Sequence, residues 1–246
     1  MLFDQHCREH AYDASLRSFS RRVSHRERVR RAAAAGDPYF LIMGVEVVPI
    51  GGVPTDRPLP VTAVRGEPGW SQIRIELGAD AAVDARRLGS IGVDYARFVF
   101  ADAEALNSWV HEDPIDGLAD VVFWGGDEEQ IAAEFGAQRT GTPGDDCYGW
   151  VNLPLREAYA RAVALDDRRN AAPLRRFASD FRPHSHHWLV MAGVRASEYE
   201  AATIEVAGAR IMMAMTYVGD GFFPVELDVD AAGMPVAVRI TVTSDD

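Results

Sequence analysis

Two histidines near the middle of the chain have the spacing of metal ligands. In "RPHSHHW" (residues 182–188), His184 and His186 would point to the same face of a strand, and an H-x-H pair can give two imidazoles to zinc or another transition metal. A complete site needs a third ligand from elsewhere, for which the sequence offers His111, Asp220 or Asp228. The alternative is a half-exposed strand whose histidines hydrogen-bond to backbone, so the pattern leaves both a zinc site and no cofactor open.

Two other segments resemble catalytic motifs less well. "HCREH" (His6–His10) has the H-x-x-E-H spacing of one metalloprotease class, but it lies beside a chain terminus and is interpreted as a chance match in an amphipathic arm. Cys147 follows two aspartates, Asp145 and Asp146, which would raise the pKa of its thiol and oppose nucleophilic catalysis. With Cys7 as the only other cysteine, we expect free thiols and no disulfide framework.

The string "GDGFFPV" near the end of the chain predicts a tight turn that enters a strand. Gly219 and Gly221 permit unusual backbone angles, and Asp220 can hydrogen-bond to its own backbone. Pro224 predicts an edge strand or the first residues of a strand. We take Gly219, Asp220, Gly221 and Phe222 as a candidate functional turn, with a purely structural turn as the alternative.

The same string resembles the C-terminal signature of a bacterial family, domain-of-unknown-function family 4241, whose members typically finish with W-G-D-G-[FY]-[YF]-P-V, a strand, a D-x-x-G turn and a last strand. Gly219–Val225 match it, with Val218 in place of tryptophan and with Asp230 and Gly233 at the turn. "GVDYARFVFAD" (residues 92–102) is similar to a second block of that family, G-V-D-A-G-x-G-C-F-x-D, but departs from it at residues 95–99. The resemblance implies a β-rich domain and no established activity. Asp94 and Asp102 lie in the second block, and we take them separately as candidate carboxylates.

The elements that must position these residues are mostly strands. "YFLIMGVEVVPI" (39–50) predicts one buried strand, "HHWLVMAGV" (186–194) and "TIEVAGARIMMAMTYV" (203–218) predict further strands, and "DAAG" predicts a hairpin with positive φ at Gly233. Helices are predicted for residues 127–137 and 153–167, the second with Leu155, Tyr159 and Val163 in its apolar stripe, and Asp102 is expected to cap a short helix.

These elements predict an α+β fold, because strands outnumber helices and do not alternate with them regularly. We expect a largely antiparallel twisted β-sheet or sandwich with a few packed helices. Residues 1–36 form a basic N-terminal helical arm in this prediction, and residues 37–246 form a single domain.

Charge and missing motifs define the functional hypotheses. Residues 1–35 hold eight arginines and four acids, so the rest of the chain has 17 arginines against 33 acids, a net charge of −16. Such a body should repel nucleic acid, and no apolar run predicts a membrane span or signal peptide, so a cytoplasmic location is expected. The chain contains no lysine and no hydrolase-elbow, P-loop or dinucleotide fingerprint.

Two functions follow, from different classes. The first is a non-enzymatic interaction module, an accessory or neutralising protein of a bacterial system, whose acidic surface binds another protein of basic character. The second is a metal-dependent hydrolase that uses His184 and His186 with a carboxylate from Asp94, Asp102 or Asp220. The sequence does not indicate an oligomeric state.

Overall fold

The computed structural model describes residues 27, 30, 31, 34, 40–42, 45–67, 69–172 and 176–242. Most of the predicted N-terminal arm, with the His6–His10 motif and Cys7, therefore lies outside the described residues. Within the arm, Glu27, Arg30 and Arg31 are helical, and Glu27 pairs with the two arginines at 2.8 and 2.7 Å. In the part of the chain that the structure describes, no helix is long and apolar enough to cross a bilayer.

From Phe40 onward, the described residues form fourteen strands, three α-helices and one short 3-10 helix (Ala105–Ser108). The helices are α1 (Glu128–Phe135), α2 (Leu155–Ala171) and α3 (His186–Ala196). The strands are β1 (Phe40–Ile42), β2 (Val45–Val47), β3 (Val61–Arg65), β4 (Trp70–Glu76), β5 (Asp84–Val93), β6 (Arg97–Phe100), β7 (Leu118–Trp124), β8 (Gln138–Arg139), β9 (Tyr148–Pro154), β10 (Ala178–Pro183), β11 (Ala201–Val206), β12 (Ala209–Met215), β13 (Gly221–Val229) and β14 (Pro235–Thr241).

Every strand pairing among the described residues is antiparallel, which confirms the predicted α+β class with largely antiparallel sheets. The largest sheet has the order β3-β4-β14-β13-β5, and two others have the orders β10-β7-β9-β8 and β11-β12-β6. β1 and β2 form a separate pair. That residues 37–246 form a single domain stays a prediction.

Each of the three larger sheets has its own buried cluster. In the cluster of the five-stranded sheet, Phe223 of β13 packs edge-on against Phe98 of β6, a strand of the three-stranded sheet, with ring centroids 5.1 Å apart. α1 and α2 cover the four-stranded sheet, where Phe123, Ile131 and Leu165 are fully buried. α3 packs against β11 and β12 through Val190, Met191 and Val194. Burial of these apolar side chains holds each helix to its sheet.

The hairpin around Gly233 is confirmed, with φ +78 at that glycine, and so are the helices at 127–137 and 153–167. The stripe predicted for the second helix is wrong. Leu155, Tyr159 and Val163 are exposed, while Ala158 and Leu165 face the sheet. Ala158 and Leu165 are seven residues, about two helical turns, apart, so the buried stripe lies on a different face of the helix from the one predicted.

The prediction of a strand at residues 186–194 is also wrong, because this segment is helix α3. The Ser185 hydroxyl accepts a hydrogen bond from the Trp188 N–H at 3.3 Å and caps the helix. The residues that α3 buries, His187, Val190, Met191 and Val194, recur with helical rather than strand spacing. This change moves His186 and His187 onto a helix.

Two predicted single strands are hairpins. The segment 39–50 contains β1 and β2, which pair with each other. The segment 203–218 contains β11 and β12, joined at Ala207 and Gly208, whose φ angles are +51 and +81. Paired positive φ angles are what a tight two-residue hairpin turn requires.

Pro224 was expected in an edge strand or in the first residues of a strand. β13 lies inside the five-stranded sheet, and Pro224 is its fourth residue. The pairing register explains how proline is accommodated there. β13 pairs with β5 from Gly221 onward, but with β14 only from Val225 onward. Pro224 therefore lies in a stretch with a strand on one side only, where a missing N–H can face the open side.

Candidate functional site

His184 forms the centre of a small ion-pair group at the end of β10. Its Nδ1 lies 2.8 Å from Asp116 Oδ2 and its Nε2 lies 3.1 Å from Asp120 Oδ1. Partial burial acts to lower the pKa of His184, but the hydrogen bonds to the two carboxylates outweigh it and raise that pKa. Because both ring nitrogens face carboxylates, the arrangement favours an imidazolium that donates from each nitrogen.

His186 makes contacts of its own on α3. Its Nδ1 accepts a hydrogen bond from the Val110 N–H at 2.9 Å, and its ring lies 5.6 Å from that of Trp109. Among the described residues, no group of three or more His, Cys, Asp or Glu side chains is placed to hold a metal ion. The zinc site at His184 and His186 therefore stays a prediction.

The other proposed metal ligands have different neighbours. Asp228 is buried, and its carboxylate pairs with Arg74 and with Arg239, the latter at 3.0 Å. His111 stacks on His187 with centroids 4.3 Å apart. Asp228 thus has two cationic partners inside the five-stranded sheet, which gives it a structural role.

The candidate carboxylates Asp94 and Asp102 bind nearby backbone. Asp102 Oδ1 accepts hydrogen bonds from the N–H groups of Glu104 and Ala105, at 2.7 and 3.1 Å, which confirms the capping prediction. Asp94 Oδ1 accepts from the Tyr95 N–H at 3.0 Å. Within the described residues, neither carboxylate hydrogen-bonds to His184 or His186.

The turn that precedes β13 is held to a distant loop. Asp220 Oδ1 accepts a hydrogen bond from the Ala96 N–H at 2.6 Å, and the Thr216 N–H donates to the Ala96 carbonyl at 2.7 Å. Thr216 Oγ1 also donates to the Gly219 carbonyl at 2.6 Å. Asp220 therefore accepts a hydrogen bond from the backbone of another loop, whereas the sequence predicted a hydrogen bond to the backbone of its own turn.

The glycines of this turn are not equivalent. Gly219 has φ +86, as the turn prediction requires, and a Cβ there would meet no atom within 4 Å. Gly221 has no positive φ; it lies in β13 opposite Val93, and a Cβ would make ordinary contact with the Phe223 ring at 3.6 Å. The prediction that Gly221 supplies an unusual backbone angle is wrong.

Three turns bring aromatic rings together near this end of the molecule. We call Trp70, Tyr199 and Tyr217 the aromatic surface; the centroid of Trp70 lies 6.2 Å from Tyr199 and 6.5 Å from Tyr217. Tyr199 is 56% exposed and Tyr217 is 39% exposed. Tyr217 lies directly against Gly69, whose φ is +76, since a Cβ on Gly69 would come within 1.9 Å of its ring. Glycine at this position lets the ring lie on the backbone.

Carboxylates and one guanidinium surround the aromatic surface. A hydrogen bond to Glu198 raises the pKa of Tyr199, while burial and the carboxylate of Glu200 raise the pKa of Tyr217. Arg65 lies over Trp70 with its guanidinium carbon 5.8 Å from the ring centroid. Glu200 has φ +46, an uncommon conformation for a non-glycine residue. The surface therefore combines aromatic faces with negative charge.

Sequence reasoning missed a buried polar cluster beneath α3. Arg97 Nη1 lies 3.2 Å from His187 Nε2, and because a guanidinium only donates, Nε2 accepts and Nδ1 carries the proton. Burial, together with the charges of His111, Arg97 and Arg195, lowers the pKa of His187 to about 3. Burial likewise lowers the pKa of His111. Both imidazoles are therefore neutral at pH 7.

Two arginines of the same region share Asp145. Arg182, almost fully buried, forms a very short contact with Asp145 and a 3.3 Å contact with Asp180. Arg195 Nε lies 3.1 Å from Asp145, but its N–H is not directed at the oxygen and makes no hydrogen bond to any described residue. A Cβ on Gly144 would come within 1.8 Å of the Arg195 carbonyl, so glycine lets this loop reach α3.

Beside these arginines is a cleft of about 70 Å³ between α3 and the four-stranded sheet. Its lining residues are Asp120, Val122, Thr142, Arg182, His184, Trp188, Leu189, Ala192 and Arg195. Cys147 lies close by, and burial raises the pKa of its thiol, in agreement with the argument against nucleophilic catalysis there.

Comparison with protein-family models, with curated proteins and with solved structures gives no match for this chain. The resemblance to family 4241 stays a prediction.

Proposed function

We propose that this chain is a non-enzymatic protein-interaction module of a bacterial cytoplasm, and that the aromatic surface binds a basic partner protein. The observation that carries the proposal is the exposure of Tyr199 and Tyr217, which pack around the half-buried Trp70 beside carboxylates. Tyrosine and tryptophan are enriched at protein interfaces, because they bury a large apolar area and keep a polar group for hydrogen bonding.

Local charge favours a cationic partner. Glu198 contacts Tyr199 and is exposed, and Glu200 contacts Tyr217 and is half-buried. Glu67 and Asp220 are exposed three residues along the chain from Trp70 and Tyr217. Arg65 already lies against Trp70 within cation–π distance, so a guanidinium fits that ring. An arginine or lysine of the partner would find both aromatic faces and opposite charge here.

The wider charge distribution supports the same partner. Residues 98–138 contain ten acids and no arginine, and Glu112, Asp113 and Asp116 are exposed in a loop of this segment. Such a field speeds the encounter with a basic protein and weakens as salt is added.

Capture from native-host extract tests the proposal. We expect the wild-type chain to retain a basic protein, identified by mass spectrometry, and the Tyr199→Ala/Tyr217→Ala variant to lose it. Tyr159→Ala is the matched control, because Tyr159 is a 65% exposed tyrosine on α2. Association should slow several-fold between about 50 and 200 mM salt. Equal capture by both variants, or capture of acidic proteins alone, would contradict the proposal.

The alternative hydrolase function requires His184 and His186 to bind a metal. At His184 a metal would have to displace Asp116 or Asp120 from a ring nitrogen, and no described residue favours that exchange. Metal analysis of untagged protein separates the two functions. One equivalent of zinc, lost in the His184→Ala/His186→Ala variant, would favour the hydrolase.

A further inference from the structure

Three arginines from three different elements meet beneath α3 with too few carboxylates to balance them. Arg97 begins β6, Arg182 is in β10 and Arg195 is in the last turn of α3. Asp145 pairs with Arg182 and Arg195, and Asp180 pairs with Arg182. His111 and His187 are neutral, so this group has three positive charges against two negative ones.

Carboxylates next to the cluster offset part of this excess. Asp94 acts on Arg97, but it is exposed and solvent weakens its effect. Asp120 lines the cleft, but its Oδ1 accepts hydrogen bonds from the His184 imidazolium and the Asn152 N–H. Asp116 and Asp120 share the single positive charge of His184, so this pair of carboxylates also offsets part of the excess. Among the described residues of the cluster, Arg97 is the arginine that forms no ion pair, whereas Arg182 and Arg195 share Asp145.

The buried polar atoms of the cluster that have no hydrogen-bond partner are all donors, so they too favour a negatively charged or acceptor ligand. Of the buried side-chain nitrogen and oxygen atoms in the described residues, three make no hydrogen bond: Arg97 Nε, His187 Nδ1 and Arg195 Nε. Each of them carries a hydrogen, since His187 Nε2 is the acceptor in its contact with Arg97. His187 is 7% exposed. A buried donor without an acceptor is costly, so the cluster lacks acceptors rather than donors.

The cleft gives a small ligand access to two of the three arginines, and Arg195 is the residue there with an unpartnered donor. Arg182 and Arg195 line it, and so does Thr142, which has a hydroxyl. The Nη groups of Arg195 make no hydrogen bond to another described residue, and the Arg195 side chain is 24% exposed. About 70 Å³ accommodates a few water molecules or a small oxyanion, but not a nucleotide.

We propose that the cleft is a binding site for a small oxyanion, a carboxylate or a phosphate, held by Arg182 and Arg195. Arginine presents a planar fork of N–H groups that matches both kinds of anion. Trp188 and Leu189 form an apolar wall that restricts water around the ion pair. This site shares no residue with the aromatic surface, so the test of anion binding does not depend on whether the proposed partner protein binds.

Calorimetric titration of the full chain with sodium phosphate and with sodium acetate tests the site, with sodium chloride keeping ionic strength constant. We expect saturable binding of one or both anions and a matching rise in melting temperature. Binding of phosphate alone, or of acetate alone, supports the proposal and tells which class of oxyanion the cleft prefers.

Arg195→Gln should weaken that binding about tenfold or more, since it removes one charge-assisted contact. Ala192→Phe should abolish binding by filling the cleft, and circular dichroism checks that each variant is folded. Arg210→Gln, at an exposed arginine of β12, is the matched control and should bind like wild type. The proposal is overturned if neither anion saturates, or if the Arg195 and Ala192 variants both keep wild-type affinity.

Discussion

Replacing Gly69 with alanine should destabilise the protein more than a positive φ alone explains. Alanine at φ +76 costs about 1–2 kcal/mol, as it does at any left-handed position. The new methyl group would also lie 1.9 Å from Tyr217 Cδ2 and 2.1 Å from Cγ. These atoms belong to the base of a rigid ring, so either the ring must leave or the turn must move.

The size of the second effect follows from the burial of Tyr217. The residue is 39% exposed, so expelling its ring gives up about 120 Å² of contact, or at most about 3 kcal/mol. We therefore expect Gly69→Ala to cost about 1–3 kcal/mol more than Gly208→Ala. Gly208 is the matched control, since its φ is +81 and a Cβ there meets nothing within 4 Å.

Urea unfolding of both variants measures the difference in free energy. A double-mutant cycle with Tyr217→Ala identifies its cause, because Gly69→Ala should cost less once the ring is gone. Binding of the basic partner should weaken in Gly69→Ala and stay unchanged in Gly208→Ala. If the two glycine variants unfold within about 0.5 kcal/mol of each other, the close approach of Tyr217 does not matter and the reasoning is refuted.

Three other changes test the remaining geometry. Asp220→Asn should cost less than about 1 kcal/mol in urea unfolding, because an amide oxygen can still accept from the Ala96 N–H, whereas Asp220→Ala should cost more. Because the pKa of His184 is raised in the fold, His184 contributes stability below a pH of about 6.5, and this contribution is lost as the pH rises through the folded-state pKa. Because the pKa of His187 is lowered to about 3, His187 contributes stability above a pH of about 6.5, and this contribution is lost as the pH falls toward 3. Unfolding free energies between pH 4 and 8 should therefore fall more steeply with acid in His184→Gln and less steeply in His187→Gln than in wild type. Gly149→Ala should cost more than about 2 kcal/mol by urea unfolding, because its Cβ would lie 2.2 Å from a carbonyl oxygen of β7; a cost like that of Gly208→Ala would show that the strands can separate.

Local chemistry made part of the fold predictable. The turn at Gly233 and the cap at Asp102 depend on residues within a few positions of each other, and both predictions are confirmed. α3 was missed because a short apolar run with β-branched residues fits a buried strand as well as a helix. Ser185 was the available signal, since a serine directly before such a run is a common helix cap.

The candidate sites depend on contacts that no local pattern indicates. The contact of Arg97 with His187 joins residues 90 positions apart, and the hydrogen bond from Ala96 to Asp220 joins residues 124 apart. The contact between Gly69 and Tyr217 is of the same kind. Spacing identified residues able to do chemistry, but which of them meet is decided by strand order.

The order of the five-stranded sheet has a consequence for biosynthesis. β4 and β5 are consecutive in the sequence, yet the hairpin of β13 and β14 lies between them. This hairpin follows every other described element along the chain. The edges of β4 and β5 that pair with it therefore remain unpaired during translation until β13 and β14 have been synthesised. At about 5–20 residues per second, the roughly 130 residues that separate β5 from β13 take several seconds or more to emerge. A nascent chain of this protein therefore needs protection from edge-to-edge association until its last hairpin inserts.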